Sequence, residues 1–125
     1  MQKISMKSNR NLTLEERFNQ FIKMCKIKNL SWKTTETYEW HYLIFIRFIS
    51  KESPLQMISE HRIDDYIMHL KNNSSIRDIT INSYLRSIRA LFGYLIEQGH
   101  MEKLTIHMLK VFSQNTYKII DHNLI

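Results

Sequence analysis

A chain of 125 residues with one cysteine, one proline and two glycines has little from which to build turns or cross-links. β-Sandwiches and barrels reverse direction every few residues and draw heavily on glycine and proline. Their scarcity here argues against such folds and favours long helices joined by few breaks. Cys25 has no partner within the chain, so an internal disulfide is ruled out, in keeping with a reducing, cytoplasmic setting. No run of about 18 apolar residues occurs, which argues against a membrane-spanning helix. Residues 1–10 are polar and lack the apolar middle of a secretory signal. Glycine-rich phosphate loops and paired-cysteine metal sites are also missing. Tyr117 has no activating cluster of arginine or histidine around it in sequence, so no catalytic residue is assigned.

What is present suffices for one core. Hydrophobic residues make up 43% of the chain and aromatics 11%, enough for a single domain of this length. The net charge is +6, and the sequence pI is near 9.5, a balance that suits a polyanionic partner. The excess is uneven: residues 1–51 carry ten basic and four acidic side chains, and residues 52–125 carry eight of each.

The periodicity predicts an all-α, compact bundle of four main helices. Residues 1–12, with Lys3, Lys7 and Arg10, read as a flexible basic tail. Thr13 and Glu16 form a capping box, and Leu14, Phe18, Phe21, Ile22 and Cys25 follow on one helical face to about residue 28. A second helix is expected over about 33–50, capped by Ser31 or Thr34, with Tyr38, Tyr42, Phe45 and Ile49 facing the core. Trp40, Ile44 and Arg47 lie on its opposite side. Past a connector holding Pro54, Ser59 can cap a third helix to about residue 70, burying Ile63, Tyr66, Ile67 and Leu70. Thr80 or Asp78 is expected to cap a fourth, to about residue 98. Its stripe of Ile81, Leu85, Ile88, Phe92 and Leu95 covers an arc of only about 80°. Gly99 is placed to end that helix in the left-handed conformation. A weaker pattern over 104–112 suggests a short fifth helix. The domain is therefore expected to span 13–112, with 113–125 a C-terminal tail or the start of a linker.

Two patterns bear on function. His61, Asp65 and His69 share one side of the third helix at a spacing suited to metal ligation, but no fourth ligand is evident, and a solvated face is preferred. No metal or cofactor is expected. On the fourth helix Asn82, Arg86 and Arg89 recur at four and three residues, with Ser83 beside them and Arg77 and Thr80 at the helix start. A ridge of this composition suits a DNA groove: arginine can grip guanine or phosphate with two bonds, asparagine can read adenine, and hydroxyls contact phosphate. A helix start adds free N–H groups directed at phosphate. The alternative is a protein-interaction module with Trp40 and Ile44 as an exposed anchor.

Four passages in order carry a family resemblance. They are Leu14-Glu15-Glu16-Arg17-Phe18-Asn19-Gln20-Phe21; Leu30-Ser31-Trp32-Lys33-Thr34-Thr35-Glu36-Thr37-Tyr38; Pro54-Leu55-Gln56-Met57-Ile58-Ser59 with the third-helix apolar residues; and Thr80-Ile81-Asn82-Ser83-Tyr84-Leu85-Arg86-Ser87-Ile88-Arg89-Ala90-Leu91-Phe92, closing at Tyr94-Leu95 and Gly99. Over roughly residues 13–101 the chain resembles the core-binding, SAM-like N-terminal domain of tyrosine recombinases, the phage integrases. It departs from the family after the fourth helix, where Leu104-Thr105 stands in place of asparagine–proline. The resemblance implies a module that clamps duplex DNA while a C-terminal catalytic domain of the same parent protein cuts and rejoins it. This chain, read as an expressed fragment, would be no enzyme by itself. Neighbouring recombinase protomers on the DNA are further implied partners. By position the resemblance points to Lys33, Thr34 and Thr35 at the start of the second helix, and to Thr80, Asn82, Ser83, Arg86 and Arg89 on the fourth.

Overall fold

Helix starts follow the side chains able to answer the free N–H groups of a first turn. The computed structural model describes residues 12–50, 54 and 58–110, and four helices run through them: α1 Leu14–Ile27, α2 Trp32–Ile49, α3 Glu60–Lys71 and α4 Asp78–Glu97. Thr13 Oγ1 accepts from the Glu16 N–H at 3.3 Å, and Glu16 Oε1 accepts from the Thr13 N–H at 2.8 Å, which completes the capping box of α1. Ser31, not Thr34, caps α2 by accepting from the Thr34 N–H at 3.1 Å. Ser59 caps α3 through the Arg62 N–H at 3.2 Å. The start of α4 differs from expectation. Arg77 occupies the cap position without a side-chain bond, and neither Thr80 nor Asp78 takes that role. Asp78 is instead the first helical residue, where its carboxylate suits the positive helix end and pairs with Lys71 at 3.4 Å.

Two helices end in matching left-handed turns. Asn29 (φ 63°) closes α1, with the Leu30 N–H reaching the Cys25 carbonyl at 3.0 Å. Gly99 (φ 77°) closes α4, with the His100 N–H reaching the Leu95 carbonyl at 2.9 Å. Both satisfy orphan carbonyls of the last turn.

The core lies between α4 and the other three helices, with α2 packed most extensively against it. Phe45 is fully buried and meets Tyr66 and Phe92 edge-on at 4.9 and 5.9 Å. Phe18 stacks on Tyr42 at 3.8 Å. Phe18, Phe21, Ile67, Leu85, Ile88 and Phe92 are buried as expected, whereas Tyr38 is half-buried at the edge. Each fully buried Leu, Ile or Phe contributes about 1.5–3 kcal/mol of apolar transfer. No strand occurs among the described residues, only an isolated antiparallel bridge between Thr13 and Pro54.

The expected fifth helix is not formed over 104–110. The physical reason is a period of two: Leu104, Ile106 and Met108 are half-buried against the core, while Thr105 and His107 are exposed. A helix would carry these apolar residues around its circumference. The tail residues Lys3, Lys7 and Arg10, most of the connector around Pro54, Phe112, and the segment 113–125 with Tyr117 lie outside the described residues.

Candidate nucleic-acid interface

At the start of α2 the three expected residues separate by burial. Lys33 is exposed. Thr34 is half-buried, and its hydroxyl pairs with Ser31 Oγ at 2.9 Å. Thr35 is turned inward, 4% exposed, and donates to the Ser31 carbonyl at 3.2 Å. Its place one turn after the cap puts it on the core side, so little of it is open to a ligand.

The cap residue Arg77 and, on α4, Arg86 and Arg89 are exposed, while Thr80 and Ser83 are half-buried. Arg86 Nη2 donates to Ser83 Oγ at 3.2 Å, and Ser83 donates in turn to the Ile79 carbonyl at 3.3 Å. This chain lays the Arg86 guanidinium along the helix with most of its five donors still available to a phosphate or a base edge. Asn82 departs from expectation. It is 7% exposed, and both ends of its amide are bonded to the Leu109 backbone. Helical spacing placed it beside Arg86 and Arg89, but the 104–110 segment covers α4 at Asn82 while leaving both arginines exposed.

The junction of α2 and α4 contains a pair that sequence reading missed. His41 Nδ1 lies 2.7 Å from Ser87 Oγ, and its ring meets Tyr84 at 4.8 Å. Burial lowers the His41 pKa below its ordinary value, opposed by a hydrogen bond to the Ser83 backbone. The pairing was legible only as two polar residues inside apolar stripes.

A second missed cluster sits at the far end of α4. Buried Arg17 donates to Gln20 Oε1 at 3.0 Å and to His100 Nε2 at 2.9 Å. Arginine can only donate, so His100 accepts through Nε2 and is neutral in this geometry. Burial and then the Arg17 charge lower the His100 pKa, and burial lowers that of Arg17.

Arg62 lies over the Phe48 ring, 4.5 Å from its centroid, and donates to the Phe48 carbonyl at 3.3 Å. On α3, His61 approaches Asp65 at 3.7 Å, whereas His69 packs on the Phe48 ring at 5.0 Å. Among the described residues no group of three His, Cys, Asp or Glu side chains could hold a metal ion.

Large apolar side chains also reach the surface. Trp40 is 56% and Trp32 70% exposed, with Leu43 also exposed and Ile44 half-buried. No helix among the described residues is long and apolar enough to cross a membrane.

Residues 18–102 match the family model of the phage integrase N-terminal SAM-like domain. No curated protein and no solved structure matches the chain.

Proposed function

This chain belongs to the phage integrase N-terminal SAM-like domain family, and from that membership we propose that it is the DNA-binding module of a cytoplasmic, site-specific tyrosine recombinase. In this reading the helical unit spans 13–112 and holds one side of a duplex. A catalytic domain of the parent protein performs strand cleavage and joining, and neighbouring protomers occupy the same DNA. Lys33, Thr34, Arg77, Thr80, Ser83, Arg86 and Arg89 are the proposed contacts. Thr35 and Asn82 are withdrawn from the set because both are buried.

The observation that carries the reading is the exposed Arg86, bonded to Ser83, and the exposed Arg89 on α4, in a chain of net charge +6. Arginine forks supply bidentate contacts, and hydroxyls supply phosphate contacts. Titration of a labelled duplex with the purified chain tests it. A dissociation constant of about 10⁻⁴–10⁻⁶ M at physiological salt is expected, weakening steeply as salt rises. No binding, or binding indifferent to salt, would contradict it.

The exposure of Trp40 and Leu43 favours a second reading, a helical protein-interaction module anchored on α2. Salt distinguishes the two, since an apolar anchor loses little affinity where several phosphate contacts lose much.

A further inference from the structure

The chain does not leave the bundle where α4 ends. Beyond Gly99 it turns back, and three side chains from two helices hold it. The Thr105 N–H donates to Glu60 Oε2 at 2.8 Å, and His107 Nδ1 donates to Asp64 Oδ1 at 3.0 Å. Asn82 then binds one residue twice: its Oδ1 accepts from the Leu109 N–H at 2.8 Å, and its Nδ2 donates to the Leu109 carbonyl at 2.8 Å. Leu104 and Ile106 share a groove with Arg89, Phe92 and Gly93 of α4, so the strap runs antiparallel to that helix, back towards its N-terminal half.

The chemistry at Asn82 is selective. A carboxamide offers one acceptor and one donor to the backbone of a single residue, as a neighbouring strand would; aspartate lacks the donor and leucine lacks both. Because Asn82 is buried, an unanswered amide group there is costly.

We infer that Asn82 is a positioning residue which, with Glu60 and Asp64, fixes the strap so that Lys110 is held beside the N-terminal half of α4. Without the clasp the strap would be tethered only at the helix's other end, about 25 Å away at ~1.5 Å per residue. A free tether of ten residues would spread its end over roughly 17 Å. The clasp confines Lys110 to one place instead. That this place adjoins bound DNA rests on the reading above; the clasp stands on its own contacts.

Amide hydrogen exchange on the full 125-residue chain tests the clasp, comparing wild type with Asn82→Ala, Asn82→Asp and Thr105→Pro. Asn82→Ala should speed exchange of the Leu109 amide about ten-fold or more, with the Leu85 and Ile88 amides of α4 unchanged. Asn82→Asp, which keeps the acceptor, should give a smaller acceleration. Thr105→Pro removes the N–H that Glu60 accepts at an exposed position, and should loosen Leu109 while α4 holds its rates even if Asn82→Ala unfolds the chain. Rapid Leu109 exchange in the wild type would overturn the inference, as would Leu109 protection unchanged in both Asn82→Ala and Thr105→Pro. DNA affinity is read in none of these arms, so failure of the DNA reading and failure of the clasp are separate results.

Discussion

His41 and His100 are both held towards the neutral form, one between α2 and α4 and the other against Arg17. Their lowered pKa values make stability depend on pH with a definite sign. The unfolded chain takes up these protons near the ordinary value of 6.5, before the folded chain does. The contribution is therefore complete above that value and is lost as pH falls through it towards the lowered folded values. His107 works in the opposite sense, because its hydrogen bond to Asp64 raises its pKa, but it is exposed and its effect is screened. Urea midpoints should thus fall between about pH 7.5 and pH 5.5, and a His41→Asn/His100→Asn double variant should show a weaker fall. An equal fall in both proteins would show that other groups set the pH dependence. Neither histidine stood out in the sequence. A polar residue within an apolar stripe reveals burial, but its partner lies 46 or 83 positions away along the chain.

Among the elements, α4 holds one glycine and is closed by the other, and they make opposite demands. Gly99 sits at φ 77°, with nothing within 4 Å of where a Cβ would stand. The whole cost of Gly99→Ala is then backbone strain, about 1 kcal/mol of destabilisation. Gly93 lies inside α4, also with open space at the Cβ position, so Gly93→Ala should stabilise by about 0.5–1 kcal/mol. Thermal melts of the two variants should move in opposite directions; shifts of one sign would contradict this account of the helix end. The Gly99 turn was legible because glycine at the end of a periodic stripe has a local meaning. So were the starts of α1 and α3, where Thr13, Glu16 and Ser59 act within one turn. The start of α4 was not, because Asp78 draws on Lys71 of another helix. The strap was misread because the apolar-rich run over 104–112 fits a helix or an alternating segment, and only the groove beside α4 decides between them for the described residues 104–110.

At the scale of the whole molecule, the four-helix arrangement was legible from apolar stripes and few breaks, while the candidate interface was legible only in part. Periodicity located the exposed flank carrying Arg86 and Arg89 but had no means of knowing that the strap would cover Asn82 on the same flank. Nor could it separate Thr35 from its exposed neighbour Lys33 without the packing of α2 on the core. What remains is a claim about place: the arginines of α4, rather than the net charge of +6, bind DNA. The direct test compares two double variants of equal charge, Arg86→Ala/Arg89→Ala and Lys3→Ala/Lys7→Ala, titrated against the same duplex at two salt concentrations. The account predicts that only the α4 pair weakens binding substantially. A base-reading arginine would account for about 1–3 kcal/mol of the loss, and each phosphate contact removed would flatten the salt slope by about one. Equal losses from the two pairs, with both proteins folded, would contradict it, because diffuse positive charge would then account for the binding.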